Sequence, residues 1–148
     1  MKQEVIILIA EDDEGHAHLI RKNLSRAGIA NDIIHFKDGQ EVVDFLFCLG
    51  DGPHRKPGAA YVLLLDIRMP KLDGTEVLER LKADTELRKI PVVMITTTDD
   101  PREVERCHII GCSNYITKPI EYEAFVNAIR QLGLFLTVVQ VPRINGMP

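Results

Sequence analysis

Short apolar runs recur along the chain, and each is followed by a segment whose apolar positions fall three and four residues apart. The runs cover residues 5–10, 32–36, 61–65, 92–95 and 114–117. Three of them are nearly all aliphatic instead of alternating, the pattern of strands buried on both faces of a parallel sheet. Between them, Ala17, Ile20, Leu24 and Ala27 line one helical stripe, and Val77, Leu78 and Leu81 another. Phe125, Ile129, Leu132 and Leu136 line a third. Gly28, Gly50 and Gly111 directly follow such segments, where a helix end favours a left-handed residue. Strand–helix units in series predict an α/β doubly wound sheet. Residues 50–58, GDGPHRKPG, predict a surface loop.

Composition narrows the class. A chain of 148 residues with 45% hydrophobic and 27% charged residues has the size and balance of one globular domain. A formal charge of −4 argues against nucleic acid or an anionic membrane as the main partner. No apolar run approaches the ~20 residues of a membrane span. The apolar run near the N-terminus is short and ends in an acidic cluster, which does not fit a signal peptide. The expectation is a cytoplasmic protein. Cys48, Cys107 and Cys112 have no metal-like spacing, and the five histidines are scattered; His16 and His18 fall on different faces of a helix.

In an open α/β sheet, ligands bind at the carboxyl ends of the strands, so those ends are the informative positions. The first run ends in Glu11, Asp12 and Asp13, the third in Asp66, the fourth in Thr96 and the fifth in Lys118. The second ends in Lys37 and Asp38, with no evident role. Each has an ordinary alternative: Asp12 or Asp13 as a helix cap, Asp66 as a loop cap, Thr96 as a turn hydroxyl, Lys118 as a surface lysine. Together on one edge they make a different case. Two carboxylates at ~5 Å repel by roughly 3 kcal/mol at an effective dielectric of 20. A hard divalent cation and one lysine relieve that, and carboxylate oxygens suit Mg²⁺.

The segments EDD, LLLDIRMPKLDG around Asp66, VVMITTTD around Thr96 and SNYITKPI around Lys118 resemble the receiver domains of two-component response regulators. The likeness covers about residues 4–136. It implies a flavodoxin-like, five-stranded parallel sheet in the order 2-1-3-4-5, with a receiver domain at 1–136 and a C-terminal arm at 137–148. It implies Asp66 as phosphoacceptor and Asp12 as direct Mg²⁺ ligand, with Glu11 helping through water. Arg68 would lend the metal a backbone carbonyl. Lys118 would pair with Asp66 and then with phosphoryl oxygens, and Thr96 and Tyr115 would form the switch. Pro119 resembles a proline preceded by a cis peptide, which would turn Lys118 inward. Asp73 and Gly74 match a structural turn. Arg68 and Thr98, two residues past the acceptor and the switch threonine, flank the path of attacking water and do not obviously position it; a long-lived phosphoryl state is expected.

The implied function is a single-domain response regulator that accepts a phosphoryl group from a sensor histidine kinase. It would catalyse only its own phosphorylation and slow dephosphorylation, and so is not an enzyme of other substrates. A phosphorelay intermediate passing the group to a histidine phosphotransfer protein is the nearest alternative. An aspartyl-phosphate hydrolase would carry its nucleophile after the first strand with a second aspartate two residues on, where this chain has Arg68. A flavin module would need a Ser/Thr/Gly-rich phosphate loop, and EDDEGH would repel phosphate.

The long 50–58 loop and the apolar tail resemble small receivers found beside bacterial phytochromes, whose tails commonly dimerise, although a tryptophan often seen near the tail's start is missing. Val138, Val139 and Val141 are apolar and β-branched. With the sheet taken as complete, they either fold back on their own last helix or cross to a second copy; the second is expected, giving a homodimer through the arm and the last helix, with residues 144–148 loosely held.

Overall fold

The computed structural model describes residues 4–118, 121–138 and 140–145, with backbone alone at 137 and 138. Strands and helices alternate: β1 (Val5–Ala10), α1 (Glu14–Arg26), β2 (Ile33–Phe36), α2 (Gly39–Leu46), β3 (Ala59–Leu65), α3 (Gly74–Ala83), β4 (Val92–Thr96), α4 (Pro101–Ile110), β5 (Asn114–Thr117) and α5 (Tyr122–Val138). A short 3-10 turn, Leu87–Lys89, precedes β4, and a two-residue strand, β6 (Arg143–Ile144), follows α5. The five main strands pair in parallel in the order β2-β1-β3-β4-β5. This is the flavodoxin-like order that the resemblance implied.

The aliphatic runs are the inner strands because both of their faces are covered. Leu8, Ala10, Leu63 and Leu65 face one core with Val42, Leu46, Val77, Leu78 and Leu81 from α2 and α3. Ile7, Ile9, Val62 and Leu64 face the other with Ile20 and Leu24 of α1 and Ile129 and Leu132 of α5. The strand period of two thus divides one apolar run between two helical layers. Gly133 lets α5 approach α1 closely: a Cβ there would lie 2.8 Å from Cβ of Ala27.

Helix starts are set by aspartates. Asp13, Asp38, Asp73 and Asp100 each accept a backbone N–H in the first turn of α1, α2, α3 and α4. This separates Asp12 from Asp13, which the sequence left open: Asp13 is the cap. It also gives Asp38 the role that sequence reasoning did not find. Gly111 closes α4 at φ 126, as its position after the helix predicted.

Two expectations need correction. The 50–58 loop is not wholly a surface feature. Arg55 is 4% exposed, and its Nε donates to the carbonyl of Leu46 at 2.8 Å, satisfying the end of α2. The tail also folds back on its own domain. β6 pairs antiparallel with the start of β3, Ala59 with Ile144 and Ala60 with Arg143, and Gly58 N–H donates to the Ile144 carbonyl. The sheet was not complete, because β4 first meets β3 at Leu63 and leaves the beginning of β3 open on that side. Val141 joins the α1–α5 core and Ile144 the α2–α3 core, so Val141 needs no second copy to be covered and Ile144 is not loosely held. Pro119, Val139 and residues 146–148 lie outside the described residues, as does the side chain of Val138.

Ile144 is fully buried, and truncating such a side chain costs ~2–5 kcal/mol. Ile144→Ala should therefore lower the urea midpoint by that equivalent. An unchanged midpoint would mean that the tail does not hold this place in solution.

Candidate functional site

The carboxyl ends of β1, β3, β4 and β5 meet at one edge, each held by strand pairing carried one residue further. Glu11 N–H donates to the Phe36 carbonyl, Asp66 N–H to Ala10 at 3.0 Å, and Lys118 N–H to Thr96 at 2.6 Å. Glu11, Asp66 and Lys118 thus each follow the last paired residue of their strand, while Thr96 is itself the last paired residue of β4. Gly74 fixes the far side of the Asp66 loop. Its N–H donates to the Ile67 carbonyl at 2.7 Å, and a Cβ there would lie 2.0 Å from the Asp66 carbonyl oxygen. Glycine is required by that approach.

Lys118 lies at the centre. Its side chain is 3% exposed, and Nζ donates to an Oε of Glu11 and to Oδ2 of Asp66, the latter at 3.1 Å. The surface-lysine alternative is thereby removed, and Lys118 is turned inward as expected. Glu11 is also buried, and its backbone carbonyl contacts Nε2 of His35 at 2.7 Å. Burial, with the Asp66 carboxylate beside it, pushes the Glu11 carboxyl up to about 8 against the pull of Lys118. One ammonium faces two buried carboxylates, and Asp12 stands exposed at the rim.

Carboxylate oxygens of Glu11, Asp12 and Asp66 all lie within 4.8 Å of one another. An all-oxygen set with excess negative charge is the donor chemistry of a hard divalent cation, so these residues fit one. Glu11 is engaged by Lys118, and Asp12, the expected direct ligand, lies at the exposed rim.

Thr96 is fully buried at the end of β4, and its Oγ1 accepts the Thr98 N–H at 3.5 Å. Tyr115 is half-buried against the α2–α3 core, and its hydroxyl donates to the Thr98 carbonyl at 2.9 Å. Burial pushes the Tyr115 phenol well above its usual range. The expected switch pair therefore meets through the loop that follows Thr96. Arg68 is exposed above the site, with Nη2 at 4.0 Å from Glu103.

Sequence reasoning missed His16 and Glu103. His16 Nδ1 lies 3.2 Å from Lys118 Nζ and 3.7 Å from both Glu11 and Asp13, and its ring stands 6.1 Å from Phe125. Its place in the first turn of α1, three residues past the cap, was the available signal. Glu103 accepts the Thr98 hydroxyl at 2.8 Å while facing Arg68.

The model of the response regulator receiver domain matches residues 7–130, and the chain belongs to that family. A receiver domain from Rhodospirillum rubrum is 48% identical, with a TM-score of 0.89 over 95% of this chain and 99% of that one. Response regulator Rcp1 of Synechocystis is 31% identical over 93% of this chain and 92% of its own. The Mn²⁺-bound crystal structure of Rcp1 matches with a TM-score of 0.83 over 93% and 98% of the two chains, at 28% identity. The bacteriophytochrome response regulator RtBRR is 38% identical, with a TM-score of 0.72 over 93% of this chain and 83% of its own. The chain is thus a receiver domain close to phytochrome response regulators. No described helix is long and apolar enough to cross a membrane.

The raised Glu11 carboxyl has a consequence for stability without divalent cations. Between the unfolded value of 4.5 and about 8, the folded chain binds a proton at Glu11 that the unfolded chain has released. Stability from this group is full below pH 4.5 and declines as pH rises towards 8. In EDTA, Glu11→Gln should flatten that decline relative to the unsubstituted protein. Parallel stability–pH curves from urea titrations would contradict the assignment.

Proposed function

We propose that Asp66 accepts a phosphoryl group from a phosphohistidine of a sensor histidine kinase. The observation that carries this reading is the buried Asp66 carboxylate held against Lys118 beside Glu11 and Asp12. An ionised Asp66 oxygen attacks phosphorus, the O–P bond forms, and the P–N bond of the donor breaks with the imidazole as leaving group. No base is needed, since the nucleophile has no proton to lose. What the site must supply is placement and positive charge. Glu11, Asp12, Asp66 and the Arg68 backbone carbonyl would hold Mg²⁺, which when bound supplies positive charge to the phosphoryl oxygens.

Lys118, already at Asp66, neutralises the charge added there. The product carries roughly one to two further negative charges and strong acceptor oxygens. Thr96 can donate its hydroxyl proton to them, since among the described residues its Oγ1 is engaged only as the acceptor of the Thr98 N–H. Moving Thr96 moves the Thr98 carbonyl that holds Tyr115, and this joins the charge change to the α4–β5 side. The reaction is this protein's only chemistry in our reading; its output is binding, in the cytoplasm. The likeness to RtBRR supports a bacteriophytochrome as the kinase.

Asp66→Asn should lose all labelling by a small phosphodonor, and EDTA should abolish labelling of the unsubstituted protein. Acid- and base-labile phosphate that persists on Asp66→Asn, or labelling indifferent to EDTA, would overturn the acceptor or the metal assignment respectively.

We also propose a homodimer, drawn now from the end of α5 instead of from Val141. Leu134 is 60% exposed there, next to Phe135 and Leu136 packed on the core. Leu134→Glu should give a folded monomer by light scattering. A mass equal to that of the unsubstituted protein would remove this contact.

A further inference from the structure

Glu103 stands in the first turn of α4 and joins the two side chains that border the acceptor. Its Oε2 accepts the Thr98 hydroxyl at 2.8 Å, and its Oε1 lies 4.0 Å from Arg68 Nη2. Arg68 follows the acceptor by two residues, and Thr98 follows the buried Thr96 by two. Glu103 and Arg68 line one cavity of about 450 Å³ together with Asp12, a member of the acidic cluster. The Tyr115 hydroxyl reaches the same loop through the Thr98 carbonyl. One carboxylate therefore ties the loop after β3, the loop after β4 and α4 together across the mouth of the site.

The two bonds differ in strength. Thr98 to Glu103 is a short, charge-assisted hydrogen bond. Arg68 to Glu103 is a long pair with a guanidinium that is 71% exposed, and such pairs hold weakly. A new charge at Asp66 competes for Arg68 far more easily than for Thr98. Arg68 is also the one cation within two residues of the acceptor along the chain.

We propose that Glu103 is a positioning residue that sets how long the phosphoryl group stays on Asp66, by competing with that group for Arg68. This rests on the phosphoacceptor reading above. The mark is lost by hydrolysis: a water oxygen bonds to phosphorus, the P–O bond to Asp66 breaks, and the Asp66 oxygen keeps the bonding pair as a carboxylate. Inorganic phosphate leaves, and the water's protons pass to phosphate and solvent. Arg68 released from Glu103 lies over the phosphoryl oxygens and covers them from water. Arg68 held by Glu103 leaves that approach open.

The test uses the full chain as wild type, Glu103→Gln, Arg68→Ala and the double variant. Glutamine keeps an acceptor for Thr98 and loses the charge that holds Arg68, and alanine at position 68 keeps the backbone carbonyl. Each protein is labelled with acetyl phosphate and Mg²⁺, the donor is removed, and the acyl phosphate on Asp66 is followed by phosphate-affinity gel. Glu103→Gln should lengthen the half-life about two- to fivefold, the range an exposed ion pair commands. Arg68→Ala should shorten it, and Glu103→Gln should add nothing in the Arg68→Ala background, a dependence that a merely structural role would not produce. Normal labelling with an unchanged half-life in Glu103→Gln would overturn the proposal. So would equal lengthening in both backgrounds, since Glu103 would then act on the water itself. Absence of label on the wild type would remove the phosphoacceptor reading and this inference with it, and is read from the first time point, not from the decay.

Discussion

Three charged side chains are buried together at the carboxyl edge of the sheet, and their balance governs the rest of the molecule. Lys118 stands between Glu11 and Asp66, all three under 10% exposed. Removing such charges from water costs several kcal/mol per ion, and the cost is recovered only with close geometry. Here the balance is incomplete by design of the residue types, since one ammonium meets two carboxylates and Asp12 adds a third at the rim. The Glu11 carboxyl is raised first by its burial and then by Asp66 beside it, which agrees with that excess. A site in this condition favours any arrangement that brings in positive charge, and it discriminates against one that adds negative charge unless a cation accompanies it.

The backbone does the work of keeping these groups in place. Parallel pairing of β1 with β3 ends at Ala10 and Leu65, so Glu11 and Asp66 emerge side by side. Pairing of β4 with β5 ends at Thr96 and Thr117, which brings Lys118 to the same level. Aliphatic side chains on both faces leave the strands no alternative register, because a slip by one residue would exchange the two cores. The glycine at position 74 then closes the acceptor loop where no side chain has room.

This explains what the sequence disclosed and what it withheld. Asp66, Thr96 and Lys118 were legible because every strand end of a parallel sheet lies on one edge, so order along the chain was enough. The choice between Asp12 and Asp13 came only from the resemblance and not from the residue pattern, because both precede α1 and the cap geometry is what separates them. His16 was hidden because its role depends on the path of a lysine 102 positions away. Glu103 looked like one more acidic residue near a helix start. β6 escaped because a two-residue strand has no periodicity, and its docking place arises from the offset between β3 and β4. Tail apolarity was read correctly as a need for cover, and the error lay in assuming that the sheet had none to offer.

The same offset divides the site into a fixed wall and a yielding one. β3 is gripped at both ends, by β6 and Gly58 at its start and by Ala10 and Gly74 around Asp66. Both of its faces are buried almost throughout. The β4–α4–β5 side is built differently. β5 is an edge strand with half-exposed and exposed residues, and Thr98, Glu103 and Tyr115 meet through polar contacts at partly exposed positions. Local opening costs least where few apolar contacts must be broken. On the proposed reading, a change of charge at Asp66 would not be taken up by β3, which is held at both ends, and would pass to the side that rests on hydrogen bonds. The rigidity of β3 would then give the loop after Thr96 the direction of the proposed response.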